Sequence, residues 1–187
     1  NGIDSFWGFV ESAPVTMKSF NITKPFILYV SHFYRYKNHL RVIEAYSRTS
    51  ADFKRKYQLF FIGSDMDKVY YNEVCSLIDL YGLSENILLF SSMNKKDLRS
   101  FYQKCSLFIF ASLIENSPNI LIEAMRCGAP IMSCNHPPMP EHCQSSAVYF
   151  DPYNIDCISN TMSFLLSNNG KLDQMSRLSR ERSKHFS

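Results

Sequence analysis

Six short apolar runs recur along the chain: FILYV at 26–30, LFFI at 59–62, ILLF at 87–90, LFIFA at 107–111, IMS at 131–133 and AVYF at 147–150. They are apolar at consecutive rather than alternate positions, as strands covered on both faces are. Between and after them, apolar residues return every three or four positions. That spacing predicts helices over about 39–50, 67–81, 95–104, 118–126, 155–167 and 171–184. Strands alternating with helices predict an α/β fold with a doubly wound parallel sheet and right-handed crossovers. Residues 1–24 show no clear element and read as a hinge or linker lead-in, leaving 25–187 as one domain large enough to bury a core.

In such sheets, ligands sit beyond the carboxyl ends of the strands. The informative loops are therefore SHFYRYKN (31–38), GSDMD (63–67), SSMNKK (91–96), SLIENSPN (112–119) and CNHPPMPE (134–141). The first holds Arg35 and Lys37, flanked by His32 and His39. Asn38 reads as a helix cap, which puts Lys37 directly before a helix N-terminus. An exposed cation there opposes the helix dipole at a cost of about 0.3–1 kcal/mol. A bound phosphate would reverse that penalty, and residues that break a local rule are candidates for function. The alternative is an ordinary solvated cation.

The segment Glu115 to Pro130, ENSPNILIEAMRCGAP, holds two carboxylates, Glu115 and Glu123, with seven residues between them. Ser117-Pro118 reads as a helix start and Gly128 as its end. Glu115 then lies in the loop above a helix N-terminus and Glu123 inside the helix, with side chains leaning back toward the same mouth. Free amides at that mouth favour an anion. Two acids beside an anion site suit a ligand with both phosphate and hydroxyls, such as a nucleotide-sugar. The competing reading is structural: Asn119, Glu123 and Arg126 also fit the solvated stripe of an ordinary helix.

Composition narrows the classes. Apolar residues make up 45% and charged residues 20%, a globular balance. A net charge of +3 without a basic stripe argues against nucleic acid. The longest near-continuous apolar stretch, CSLFIFASLI, is too short to span a bilayer, and no secretory signal opens the chain. Six cysteines without a CxxC pair read as reduced thiols rather than a disulfide framework. The run CNHPPMPEHC fits no standard zinc spacing, and its prolines predict an extended segment. No GxGxxG follows the first strand, and no P-loop or GxSxG elbow is present.

These residues together resemble the C-terminal, donor-binding domain of group 1 (family 4) retaining glycosyltransferases, a Rossmann-like half of the GT-B fold. The segments that carry the resemblance are NGID at 1–4 with Phe6, YVSHFYRYKN at 29–38, LFFIGS at 59–64, YGLSENILLFSSM at 81–93, Glu115 through Pro130, PMPE at 138–141 and YFDP at 149–152. The resemblance implies transfer of a hexosyl group from a nucleoside-diphosphate sugar to an acceptor hydroxyl with retention. It implies that Lys37 binds the diphosphate, Glu115 the donor sugar and Glu123 the ribose hydroxyls. Amides near Asn119 and Ile120 would hold phosphate oxygens, and Ser91 to Met93 would face the base. No metal or cofactor is expected.

Two departures stand out. His32 replaces an arginine common in the family, so the resemblance implies either that Arg35 compensates at the diphosphate or that the site is less basic. Asn116-Ser117-Pro118 replaces an aromatic-glycine pair, which leaves sugar choice open. The resemblance further implies a saccharide or lipid-linked acceptor bound by a preceding N-terminal domain outside these residues. It places the enzyme in the cytoplasm, compatible with peripheral association at the inner membrane face, in bacterial surface polysaccharide assembly. Transfer by residues 1–187 alone is therefore not expected. A non-catalytic nucleotide-sugar-binding module and a GT-B sugar-nucleotide epimerase remain open alternatives.

Overall fold

The computed structural model describes residues 5–8 and 22–186. Six strands, β1 (Phe26–Val30), β2 (Gln58–Ile62), β3 (Ile87–Phe90), β4 (Leu107–Phe110), β5 (Ile131–Cys134) and β6 (Ala147–Phe150), form one sheet in the order β3-β2-β1-β4-β5-β6. Every pairing is parallel. Each strand lies within one residue of its predicted span. The chain first builds outward through β2 and β3, then returns to lay β4 beside β1. The strand order thus reverses between β1 and β4, where ligands of doubly wound sheets sit.

The helices are α1 (His39–Ser47), α2 (Ala51–Lys56), α3 (Lys68–Leu80), α4 (Lys95–Lys104), α5 (Asn119–Arg126), α6 (Met139–Cys143), α7 (Ile155–Leu166) and α8 (Asn169–Ser183). Helix α1 packs on α3 and α7, while α5 packs on α4 and α8. Strands β1 and β4 are buried along their whole length, and Phe26, Phe60, Phe61, Phe108 and Phe110 fill the layers around them. Phe26 and Phe60 stack at 4.6 Å across neighbouring strands, as aromatic cross-strand pairs do.

Three predicted elements differ. The helix expected over 39–50 stops at Ser47, because the hydroxyl-rich run that follows satisfies the backbone locally. The Ser47 and Thr49 hydroxyls donate to the Glu44 and Tyr46 carbonyls, and Ser50 caps α2 by accepting from the Phe53 amide at 3.1 Å. The proline-rich segment after β5 is not extended but carries the short helix α6. Pro140 sits in its first turn, where a missing N–H costs nothing. Residues 5–8 are part of the lead-in yet dock on the body. Trp7 is buried against Tyr102 at 5.8 Å, and Arg99 donates to the Phe6 carbonyl at 2.9 Å. The other lead-in residues before Ile22, NGID included, lie outside the described residues.

Two glycines shape the carboxyl edge. Gly128 adopts φ 78° and closes α5, its amide reaching Met125 O and that of Ala129 reaching Ala124 O, the pairing of a left-handed helix stop. Gly63 follows β2 where two loops nearly touch: a Cβ there would stand 2.0 Å from the Ser31 carbonyl oxygen. The clash is with backbone, so Gly63→Ala should destabilise the fold by about 1–3 kcal/mol or more. Urea unfolding measures this, and an unchanged midpoint would contradict the close approach.

Candidate functional site

Lys37 and Glu115 come from the loops after β1 and β4, on the two sides of the strand-order reversal. They are 78 residues apart in sequence, yet the Lys37 ammonium donates to Glu115 Oε1. The loops are also joined by main chain, since the Leu113 amide donates to the Tyr36 carbonyl at 2.8 Å. Both side chains are mostly covered, at 12% and 13% exposure. In so shielded a place the pair interacts more strongly than a surface ion pair.

The local reason for the lysine's position differs from the sequence expectation. Arg35–Lys37 forms a 3-10 turn, and Asn38 follows in the left-handed region at φ 64° without capping α1. Its buried amide instead donates to the Pro152 carbonyl at 2.9 Å, and its Oδ1 accepts from Arg41. Lys37 is therefore not an exposed cation set against a helix dipole. It is held beside Glu115 and over the Tyr36 ring at 5.1 Å.

Helix α5 starts one residue later than predicted. Pro118 takes the cap position, and Ser117 makes no cap bond to the helix. The Asn119 amide is already engaged by the Ser117 carbonyl at 2.9 Å. The Ile120 amide, at the second helical position, has no carbonyl four residues back within α5, as helix geometry dictates. Arg126 donates to the Phe186 carbonyl, so the solvated-stripe reading fails for it.

Glu123 fails that reading too, being half-buried between α5 and α4 with the Tyr102 hydroxyl 3.3 Å from Oε2. Burial pushes its carboxyl up to about 7, while the Tyr102 hydroxyl and the Lys95 charge pull the other way. Tyr102 itself is buried and its phenol held well above the ordinary value, chiefly by desolvation. Sequence reasoning missed Tyr102, because an aromatic on the apolar side of a helix reads as core.

Two adjoining hollows run along the carboxyl ends of β1, β2 and β3. The smaller, about 160 Å³, is lined by Ser31, His32, Gly63, Met93, Leu98 and Ile120 among others. The larger, about 340 Å³, is lined by Gly63, Ser64, Asp65, Tyr71, Ser91 and Ser92 among others. They share Gly63 and Ser92 and so form one crevice. It brings together His32, Ser91, Met93 and Ile120 of the expected site, while Lys37 and Glu115 hold the neighbouring reversal point. Asn119 is exposed at the tip of α5. His32 Nδ1 accepts from the Ser64 amide at 3.3 Å, a bond that a doubly protonated ring would lose.

Arg35 is not brought to Lys37. Its guanidinium is paired with Glu73 of α3 through two bonds of 2.8 and 2.7 Å and lies over the Tyr70 ring. Asp65 lines the crevice and opens an Asp-x-Asp spacing, Asp65-Met66-Asp67. Asp67 caps α3 by accepting from the Tyr70 amide at 3.0 Å. A more voluminous hollow, about 590 Å³, lies between α1 and α3 around Leu40, Val69, Leu77 and Leu80 and shares no residue with the crevice. Its mainly apolar walls offer little to a phosphate.

Residues 16–182 match the family described as glycosyl transferases group 1. The chain belongs to that family. A serotype-specific mannosyltransferase, WbdA of Escherichia coli, is 29% identical over 144 residues, 76% of this chain and 18% of its own. An N-acetylgalactosaminyltransferase of Campylobacter jejuni acting on a diphospho-undecaprenol-linked saccharide is 33% identical over 111 residues, 59% of this chain and 28% of its own. The chain thus spans under a third of the length of these relatives. In fold, it matches half of Alr3699/HepE from Anabaena, solved with UDP-glucose (TM-score 0.86, 15% identity, 100% of this chain and 52% of that one). It also matches half of a glycosyltransferase from Rickettsia africae (TM-score 0.85, 17% identity, 100% and 51%). This glycosyl transferase domain is one Rossmann-like half of a GT-B fold. Among the described residues, no helix is long and apolar enough to cross a membrane.

The Glu123 environment has a measurable consequence. Its folded value, near 7, exceeds its ordinary 4.5. The contribution to stability is full at low pH, where folded and unfolded states are both protonated, and is lost as pH rises from about 4.5 through 7. Unfolding free energies at pH 5 and pH 8 should differ by a component that Glu123→Gln removes. Identical pH slopes in the two proteins would contradict the burial argument.

Proposed function

We propose that this chain is the donor-binding half of a retaining hexosyltransferase that takes a nucleoside-diphosphate sugar and serves bacterial surface polysaccharide or glycolipid assembly. The observation that carries the reading is the meeting of Lys37 and Glu115 beside the tip of α5, in a chain of this family. The base would enter the crevice at Ser91 to Met93, and its ribose hydroxyls would donate to Glu123. The diphosphate would lie between the Lys37 ammonium and the Ile120 amide, leaving the sugar at Glu115. The activities named for the relatives, mannosyl and N-acetylgalactosaminyl transfer, support a hexosyl donor.

The ligand-free pairing gives the site its chemistry. Glu115 neutralises Lys37 until a diphosphate arrives. The phosphate oxygens then take over the ammonium, and the freed carboxylate accepts hydrogen bonds from the sugar hydroxyls. As the glycosidic bond breaks, negative charge grows on the leaving diphosphate, facing the fixed cation and the helix amide. No metal or cofactor takes part in this scheme. The acceptor, a saccharide or a lipid-linked one, would be presented by an N-terminal domain at the cytoplasmic face of the membrane. Nucleic acid has no place in the scheme.

A second reading, a nucleotide-sugar-binding module without chemistry, is favoured by one observation: Arg35 is spent on Glu73 and His32 is tied to the Ser64 amide, which leaves Lys37 the one cation of the expected set facing the site. Lys37→Ala separates the two. In a form of the protein that transfers sugar, it should lower turnover by about 10²–10³-fold, as loss of one charge-stabilising donor does. Unchanged turnover and donor affinity would overturn the catalytic reading.

A further inference from the structure

Beyond Glu115 the carboxyl edge of the sheet continues over β5 and β6, where the donor scheme assigns nothing. Two ring side chains meet there. His136 follows β5 and Tyr153 follows β6, and their ring centroids stand 5.4 Å apart with the planes tilted at 54°. A third group comes from α1: the Arg41 guanidinium lies over the Tyr153 ring, 5.2 Å from its centroid. Tyr153 is 54% exposed even so, which sets it apart from the buried aromatics that fill the core.

Buried polar bonds hold this corner in place. Asn38 is 3% exposed, and its side-chain amide serves two of the three groups. Nδ2 donates to the carbonyl of Pro152, the residue before Tyr153, and Oδ1 accepts from Arg41 Nη1, both at 2.9 Å. The Tyr153 main-chain amide donates in turn to Asp151 Oδ1 at 2.9 Å. One buried side chain thus fixes both the main chain that carries the ring and the cation that lies over it. What stays unpaired decides the ligand class. Among the described residues, Arg41 has no carboxylate partner and donates only to Asn38, and neither the Tyr153 hydroxyl nor the His136 ring nitrogens make a hydrogen bond. A guanidinium alone would suit an anion, but the Asp151 carboxylate stands in the same turn as the ring, so the corner carries both signs. A pyranose fits both halves of this arrangement. Its C–H face packs on an aromatic ring, and its hydroxyls pair with donors and acceptors at the ring's flank.

We propose that Tyr153, Arg41 and His136 form a saccharide subsite, with Tyr153 as its stacking platform, that receives the acceptor pyranoside. The order of the loops along the sheet supports the assignment. The base lies over β2 and β3, the diphosphate at the β1–β4 reversal and the donor sugar at Glu115 after β4, so the next sugar falls over β5 and β6. Asn38 directly follows Lys37, which ties the subsite and the diphosphate cation to one stretch of main chain. That the bound sugar is the acceptor rests on the donor-site reading above; that the corner binds a pyranoside does not. Because the ring, the guanidinium and the turn are fixed before the sugar arrives, little ordering cost is left for binding.

Two experiments test this. The first is NMR of the full chain, without nucleotide, titrated with the methyl α-glycosides of mannose, glucose and N-acetylgalactosamine. At least one should shift the Tyr153 ring and His136 imidazole signals together on a saturable curve, at the strength of an open subsite with one ring and a few hydrogen bonds, about 1–100 mM. Tyr153→Ala should remove the His136 shift, and Tyr153→Phe, which keeps the ring, should retain it. No saturable shift with any of the three glycosides, or equal shifts with glycerol, would overturn the subsite. The second is steady-state kinetics in a form of the protein that transfers sugar. There Tyr153→Ala should raise the acceptor KM by about tenfold, the worth of one aromatic contact, with the donor KM unchanged. A rise in donor KM alone would give the ring to the donor sugar and overturn the acceptor assignment, as would no change in either constant. Should the donor reading itself fail, the glycoside titration still decides the subsite.

Discussion

The pairing of Lys37 with Glu115 is the constraint on which the site is built. Each residue sits on a loop that leaves the sheet at the reversal between β1 and β4, and neither loop alone makes a binding surface. The fold supplies the coincidence. Parallel pairing of β1 with β4 brings the two strand ends level, and the Tyr36–Leu113 main-chain bond extends that register into the loops. A cation and an anion that are nearly covered by protein then satisfy each other in the absence of ligand. A negatively charged ligand with hydroxyl groups can replace each half of the pair with a better-matched partner, one charge at a time.

The remaining groups fall into place around that pair. In the proposed function, helix α5 would offer its amide end to the diphosphate and the half-buried Glu123 to the ribose, so one eight-residue helix would touch both parts of the ligand. The hollows over β2 and β3 are lined by the hydroxyls of Ser64, Ser91 and Ser92, by apolar side chains and by one carboxylate, Asp65. In the proposed function, a base held there would be recognised largely through the backbone. The apolar groove between α1 and α3, though larger, has neither the charge nor the place in the topology to compete.

Much of this was legible in advance, for physical reasons that differ by residue. The strands could be read because burial on both faces writes an unbroken apolar run, and FILYV and LFIFA could be little else. Lys37, Glu115 and Glu123 could be nominated because each is a charge at a place where the alternating pattern puts a strand end or a helix tip. What could not be read was partnership. Nothing local says that Arg35 bonds Glu73, 38 residues away, rather than joining Lys37. Nor does it say that Asn38 reaches Pro152 across 114 residues instead of capping the next helix. The buried role of Tyr102 was hidden by the same limit: in sequence, an aromatic on an apolar face is indistinguishable from packing.

The most direct measurement is amide chemical-shift mapping of the full chain titrated with nucleoside diphosphates and, separately, with the matching monophosphates. Lys37, Ile120 and the 91–93 turn should shift together on one saturable curve, with the diphosphate bound more tightly than the monophosphate. Shifts confined to the groove between α1 and α3, or scattered without saturation, would contradict a diphosphate docking between the lysine and the helix tip.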